Sequence, residues 1–369
     1  MNILDFNIWD YNFNYNGQAI FLNIFLFLIA IVTYKSLYKG DVKTHGNYIF
    51  LYLLLALYAT YAYAEADFYH YQFHYDMMKH HNFESLSETI YFWIAQVLPD
   101  NYYLWRFSIW GSAALLMVFS LKKIGVHASY AGLLMPIYFW RQFSVTRGGL
   151  GFCLIVFAII FFFDNKNYLK KGFAVAVLFA SVFFHNSMTA FLFVIPLAYL
   201  MPLNNKIIKI SLVMFPILYG VTMLITNNLM GMDFFATGTE DLAESYINKQ
   251  HSELNVFGIA FDLLNFSGQL LILYLSMKFV LNQKKVVDKS IVFLIKYGYI
   301  LVYISFLFYG QGVSSFISSR FLHASTFPLV VVYSYYMQHH NINKNDRVAM
   351  CLLGLYAFYK LAYPMYKWW

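Results

Sequence analysis

Apolar runs of membrane-spanning length recur along the whole 369-residue chain. About 20 apolar residues in a helix cross the roughly 30 Å hydrocarbon core of a bilayer. Hydrophobic residues make up 60% of the sequence and charged residues 12%, which is roughly half the charge of a soluble domain. We therefore predict an all-α polytopic integral membrane protein with one transmembrane domain over residues 1–369. The predicted spans, about twelve in number, are 18–38, 47–64, 102–121, 128–141, 148–163, 171–184, 187–202, 207–226, 257–281, 291–309, 321–338 and 347–366.

Lysine residues mark one side of the predicted membrane. With the N-terminus external, alternate turns between the spans are rich in Lys and fall on the cytoplasmic side, as the positive-inside rule requires. Larger external loops then lie at about 65–101 and 227–256. The net charge of +7 reflects this topology, and no nucleic-acid partner is expected. The basic residues concerned are Lys35, Lys39, Lys43, Lys122, Lys123, Lys166, Lys170, Lys171, Lys206, Lys209, Lys278, Lys284, Lys285, Lys289, Lys344 and Arg347.

The same orientation divides residues 171–202 into two short crossings. One long helix there would move the lysines that follow it to the wrong side of the membrane. Crossings of fourteen to sixteen residues reach only about 21 to 24 Å, which is less than the hydrocarbon thickness. We therefore expect His185 at the tip of a short hairpin, recessed and facing a cavity.

Four arginines fall on the predicted external half, where the positive-inside rule disfavours them. An ionisable group at membrane depth is by default a functional-site hypothesis, and the guanidinium fork suits phosphate or carboxylate. Arg106 and Arg141 have a second interpretation, as anchors at the membrane surface or as ion-pair partners of Asp100. The four residues are Arg106, Arg141, Arg147 and Arg320.

Three predicted helix N-termini point to the external side. Free N–H groups and the positive end of the helix dipole favour anions there, and glycine allows close approach to the backbone. If the three ends converge, they form a pocket for a pyrophosphate. The glycines could instead be helix-packing contacts. The three segments are Arg147-Gly148-Gly149-Leu150-Gly151, His185-Asn186-Ser187 and Ser318-Ser319-Arg320.

The first external loop mixes carboxylates with aromatic rings. Aromatic faces suit sugar rings, and carboxylates accept hydroxyl protons. An interfacial aromatic belt with solvated acids is the alternative interpretation. His70 and His74 have helical metal spacing, but no third ligand stands at a telling distance, so we expect neither a metal nor another cofactor. The candidate substrate-binding and catalytic residues in this loop are Glu65, Asp67, Tyr69, Tyr71 and His74.

This arrangement resembles bacterial polysaccharide polymerases of the Wzy type, in their EpsG-like branch. The resemblance covers most of the chain and is carried by the acidic-aromatic loop, an Arg that opens a mid-chain helix, Phe-Phe-His-Asn-Ser at 183–187 and Arg-Phe at 320–321. The mid-chain pattern of the family is matched by Arg141-Gln142 or by Arg147, and Arg147 has the better helix start.

The resemblance implies a GT-C-like membrane glycosyltransferase of the bacterial inner membrane. Its expected activity is to join undecaprenyl-pyrophosphate-linked oligosaccharide repeats into O-antigen or capsular polysaccharide at the external face, by inverting transfer with lipid pyrophosphate as leaving group. Membrane lipid and the lipid-linked repeats are the expected partners, and a chain-length regulator is a candidate.

The same resemblance assigns expected roles to individual residues. His185 is the first candidate for the general base, and Asp67 or Glu65 the second. Arginines stabilise the charge of the leaving group. The residues expected to bind that group and the sugar are Arg147, Arg320, Arg141, Gln142, Gly148, Tyr69, Tyr71 and His74.

Two other functions fit part of the pattern. A flippase for lipid-linked oligosaccharides would have a similar number of spans, although transporters usually contain internal repeats, and the two halves of this chain show no such duplication. The second alternative is a glycosyltransferase in which Glu65 and Asp67 bind a divalent ion and a polyprenyl-phosphate sugar is the donor.

Overall fold

The computed structural model describes residues 45–61, 66–81, 89–128, 130, 148–185, 188–204, 256–282, 287–308 and 313–339, and single positions at 206, 210, 214, 217 and 221. Every regular secondary-structure element in this part of the chain is a helix, which confirms the all-α prediction. Two of these helices, Tyr102–Lys123 and Lys289–Leu307, are long and apolar enough to cross a membrane. They match two predicted spans, and the total of about twelve stays a prediction. The predicted spans at 18–38 and 347–366, and residues 227–255 of the predicted loop, lie outside the described residues.

The chain divides into two compact units, Met1–Thr189 with Ala357–Trp369 and Ala190–Tyr356. We number the α-helices in chain order. They are α1 (His45–Tyr61), α2 (Ala66–His81), α3 (Thr89–Val97), α4 (Tyr102–Arg106), α5 (Ser112–Lys123), α6 (Gly149–Asp164), α7 (Tyr168–Ala180), α8 (Met188–Leu200), α9 (Val256–Asn282), α10 (Lys289–Leu307) and α11 (Val313–His339). A π-helical turn, Phe107–Gly111, joins α4 to α5 without a break.

In the first unit, α1 runs antiparallel to the helix formed by α4 and α5. The Tyr48 hydroxyl donates to the Val126 carbonyl over 2.7 Å at one end, and Arg106 contacts Thr60 at the other. The C-terminal ends of α5 and α6 meet in a salt bridge of 2.6 Å between Lys123 and Asp164. These relative directions agree with the predicted alternation, and the identity of the cytoplasmic side remains a prediction.

Residues 171–202 do not form one continuous helix. Helix α7 ends at Ala180 and is followed by a single 3₁₀ turn, Ser181–Phe184. His185 then adopts an extended backbone, with φ −167° and ψ 127°, and α8 begins at Met188. The break predicted at His185 is therefore confirmed.

The second unit contains α9, α10 and α11, which pack against one another, and most of α8. Polar side chains pair between the helices, as expected where a bilayer offers no water. The Ser325 hydroxyl donates to Gln269, and the Ser305 hydroxyl donates to the Ser318 carbonyl over 2.6 Å. On α8, the Phe191 carbonyl accepts from the Tyr297 hydroxyl over 3.3 Å.

Helix α11 corrects one prediction. It begins at Val313, so Arg320 is its eighth residue and does not open a helix. The Ser-Ser-Arg sequence resembles a capping signal, because serine hydroxyls often accept from free N–H groups. Here Ser318 instead packs across to Ser305, where both hydroxyls lie within hydrogen-bond reach of each other. The predicted helix N-terminus at Arg320 is therefore wrong.

Candidate functional site

The start of α6 packs against Met188, the first residue of α8, and against Ser181 in the 3₁₀ turn. A methyl group on Gly148 would lie 2.9 Å from Met188 Cε, and one on Gly151 would lie 2.8 Å from Met188 Sδ and 3.3 Å from the Ser181 carbonyl oxygen. Both glycines therefore make the packing contacts that the second interpretation expected, and a role of the Gly148 backbone in binding an anion stays a prediction. Their absent side chains allow two helix N-termini, those of α6 and α8, to lie side by side.

His185 opens the turn that leads into α8, which we call the His185 turn. Its carbonyl accepts from the Met188 amide over 2.9 Å, which starts α8, and its side chain is half-buried. The preceding residue, Phe184, contacts Tyr91 of α3 edge to face, with ring centroids 6.3 Å apart. The structure therefore brings the Phe-Phe-His segment to the first predicted external loop, a contact that sequence spacing alone could not reveal.

That loop contains helices α2 and α3, packed along α4 and the π-helical turn. Six rings from these elements form one cluster, which we call the aromatic cluster. Its shortest contacts join Tyr71 to Trp110 at 5.5 Å and Tyr75 to Trp105 at 5.6 Å. The Trp105 indole also donates to the Tyr91 carbonyl over 3.1 Å. The members are Tyr71, Tyr75, Tyr91, Tyr102, Trp105 and Trp110.

Arg106 lies inside the aromatic cluster and is 0% exposed. Its Nε donates to the Thr60 carbonyl over 3.1 Å, and its Nη1 donates to the Tyr102 hydroxyl over 3.2 Å. The guanidinium carbon stands 5.0 Å from the Trp110 ring centroid, within the range of a cation–π interaction. Thr60 is the penultimate residue of α1, so Arg106 supplies a donor and a positive charge to a helix C-terminus.

The anchor interpretation of Arg106 is wrong, because a side chain that reaches the surface would not be fully buried. Asp100, the predicted ion-pair partner, is engaged elsewhere. Its carboxylate accepts from the Tyr75 hydroxyl over 3.0 Å and lies 3.4 Å from His80 Nε2. Sequence reasoning underestimated Arg106, although three aromatic residues at helical spacing around it were a usable signal.

Several titratable side chains near the C-terminal end of α2 lie close to Asp100. Burial raises the pKa of Asp76, and the nearby Asp100 raises it further, while His80 and His81 lower it. Burial, followed by the hydrogen bond to Asp100, also raises the pKa of Tyr75 to about 12. At neutral pH the Tyr75 hydroxyl is therefore a fixed donor that joins α2 to the turn before α4.

A sequence model of the EpsG family matches residues 45–369. The chain belongs to the EpsG family. No curated protein and no solved structure is significantly similar to it. EpsG membership indicates a polysaccharide-polymerase-like function of the glycosyltransferase kind, and together with the apolar helices it indicates a membrane protein that uses lipid-linked polysaccharide substrates.

The predicted site residues of this EpsG-family chain lie in both units and outside the described part of the chain. In the first unit the structure brings the Gly148 helix start to the His185 turn, whereas Tyr71 and His74 are buried, at 3% and 8% exposure. Arg320 is half-buried in the second unit, where its neighbour Phe321 packs on Phe191 of α8 with ring centroids 5.0 Å apart. Asp67 and Tyr69 lie in the first turn of α2. The predicted residues that lie outside the described part of the chain are Glu65, Arg141, Gln142 and Arg147.

Among the described side chains, no three His, Cys, Asp or Glu residues converge as a metal site would require. The one cysteine in this part of the chain, Cys153, is fully buried.

Proposed function

We propose that this EpsG-family protein polymerises oligosaccharide repeats carried on undecaprenyl pyrophosphate, at the external face of the bacterial inner membrane. The oxygen of an acceptor hydroxyl attacks the anomeric carbon of the growing chain. The bond from that carbon to the pyrophosphate oxygen breaks with inversion, the hydroxyl proton passes to a base, and lipid pyrophosphate leaves.

One observation supports this site above the others: Met188 packs on Gly148 and Gly151. Arg147 is bonded to Gly148, and consecutive Cα atoms are about 3.8 Å apart. His185 precedes Met188 by three residues. The packing of the glycines therefore favours an arrangement in which a guanidinium and an imidazole approach one substrate from adjacent helix N-termini.

The arginines serve the leaving group in this proposal. Pyrophosphate gains negative charge as the glycosidic bond forms, and preorganised donors that meet this charge lower the barrier. Arg147 is the principal candidate, with Arg320 and Arg141 as further ligands and Gln142 as a hydrogen-bond donor. Removing one such donor typically reduces kcat by about 10² to 10³.

His185 is the proposed base. Histidine is the side chain that most often serves as a general base in enzymes, and a positioned base that accepts the proton of an acceptor hydroxyl typically contributes about 10² to 10⁴ to the rate. Asp67 and Glu65 are the second candidates, because a carboxylate can also accept a hydroxyl proton.

The aromatic cluster supports the site in this proposal. Tyr71 and His74 are buried, so we assign them to holding α2 in place, while Tyr69 and Gly148 remain proposed substrate contacts. The contact of Tyr91 with Phe184 links this support to the His185 turn.

Single substitutions in a polymer-producing host test the proposal. Arg147→Ala and His185→Ala should each abolish polymer while single-repeat glycolipid accumulates outside the cell. Lys122→Ala is the matched charge control, because Lys122 is exposed at the opposite end of the α4–α5 helix, and His127→Ala is the imidazole control. Full-length polymer from both site variants would overturn the proposal, and repeats trapped inside the cell would indicate a flippase.

A further inference from the structure

Helix α3 lies in a stretch that the sequence assigned to an external loop, yet it contains no charged residue from Thr89 to Leu98. One side of α3 faces the protein, where Tyr91 and Ala95 are 2% and 0% exposed. Trp93 and Val97, on the opposite side, are 59% and 81% exposed. Residues four apart share a helix face, so Trp93 and Val97 present two adjacent apolar side chains on the outward side.

Contacts with the neighbouring candidate span fix the level of α3. The helix Tyr102–Lys123 has 22 residues and reaches about 33 Å, enough to cross the hydrocarbon core. The Tyr91 carbonyl accepts a hydrogen bond of 3.1 Å from the Trp105 indole. Measured along the axis of that span, the start of α3 therefore lies about one helical turn past the first residue of the span. Along the same axis, the end of α3 lies beside the residues that precede Tyr102. Nine residues cover only about 14 Å, so α3 runs within one membrane surface and does not cross.

The C-terminal end of α3 is satisfied by the protein itself. An ammonium has three N–H donors, and Lys79 Nζ stands 2.9 Å from the Ala95 carbonyl oxygen, 3.4 Å from that of Gln96 and 2.8 Å from that of Leu98. In return the Gln96 amide donates to the Met78 carbonyl of α2 over 2.6 Å. Internal partners for the final carbonyls of a helix are what a lipid environment demands, because lipid provides no donors.

From these observations we infer that α3 is an interfacial helix whose Trp93–Val97 face is covered by lipid, in the leaflet where the Tyr102–Lys123 span begins. The span packed against α3 also exposes apolar side chains, among them Leu104, Leu115 and Phe119. Tryptophan is enriched at this level of the bilayer. Because Tyr91 contacts Phe184, lipid headgroups would lie beside the His185 turn. The inference does not depend on the chemistry proposed above.

Site-directed spin labelling of the full chain in liposomes tests this location. Both native cysteines, Cys153 and Cys351, are replaced by Ala, and single cysteines are introduced as Trp93→Cys or Val97→Cys. His81→Cys, at the exposed end of α2, is the matched control. Collision rates with oxygen, which concentrates in lipid, and with a water-soluble nickel chelate are measured for each label.

Labels at 93 and 97 should collide more often with oxygen than with the nickel chelate, and the label at 81 should show the reverse. A water-exposed helix would make all three labels nickel-accessible, and a helix covered by protein would shield 93 and 97 from both reagents. Either result would overturn the inference. A membrane-impermeant maleimide provides a second measurement: it should modify His81→Cys in intact vesicles but modify Val97→Cys only after denaturation.

Discussion

Replacing Gly151 by Ala inserts a methyl group where the protein has no room. The new Cβ would lie 2.8 Å from Met188 Sδ, 2.9 Å from Met188 Cγ and 3.3 Å from the Ser181 carbonyl oxygen. A methionine side chain can move, but a backbone carbonyl at the end of a helix cannot move without shifting the 3₁₀ turn. Overpacking of this kind typically costs about 1 to 3 kcal/mol. Gly148→Ala should cost less, because its closest neighbour is the flexible end of Met188.

Two comparison variants make this prediction specific. Gly172→Ala, in α7, meets nothing within 4 Å, so it should be neutral or stabilise by up to about 1 kcal/mol through helix propensity. Met188→Ala removes the side chain that both methyl groups would strike. In the double variants it should rescue Gly148→Ala largely, because only the Phe152 ring at 3.2 Å remains, and Gly151→Ala less, because the Ser181 carbonyl remains.

Thermal unfolding of the purified protein in detergent measures these effects, and polymer length in cells measures their consequence at the His185 turn. We expect unfolding midpoints in the order Gly172→Ala, Gly148→Ala, Gly151→Ala, from highest to lowest. Equal midpoints for Gly151→Ala and Gly172→Ala would refute the packing argument, as would the absence of any rescue by Met188→Ala.

Two further predictions concern the surroundings of the site. Arg106→Leu should lower the unfolding midpoint strongly, because each buried acceptor left unpaired costs about 1 to 3 kcal/mol. Arg106→Lys should retain only part of the stability that Arg106 provides, since an ammonium lacks the planar fork of a guanidinium. An unchanged midpoint in the Leu variant would contradict the role of Arg106. Burial raises the pKa of Asp76, so ionisation weakens the folded state as pH rises above the usual carboxyl pKa of 3.8. Asp76→Asn should therefore be more stable than the wild type at pH 7, and the difference should vanish well below pH 3.8; a variant less stable at pH 7 would reverse the sign of the argument.

Periodicity and charge predicted those parts of the fold that follow from the bilayer itself. The spans at 102–121 and 291–309 and the break at His185 depend on apolar length and on the side to which lysines are restricted. Those rules act locally along the chain, so one sequence was enough to apply them.

The sequence alone could not predict interactions between segments that are far apart along the chain. The sequence could not show that Arg106 binds the carbonyl of Thr60, 46 residues earlier. It also could not decide whether Gly148 approaches an anion or a methionine, because either neighbour favours glycine. At Ser318 the sequence predicted a helix N-terminus, because serine is common there, whereas the structure places Ser318 inside α11 in contact with Ser305.

Reconstitution tests the central claim most directly. The purified wild-type protein is placed in liposomes that contain a lipid-pyrophosphate-linked oligosaccharide repeat, and both polymer length and released lipid pyrophosphate are measured. The account predicts polymer in the wild type, with one lipid pyrophosphate released for each new glycosidic bond, and neither product with Arg147→Ala or His185→Ala. Movement of the intact substrate across the bilayer without any new glycosidic bond would contradict it.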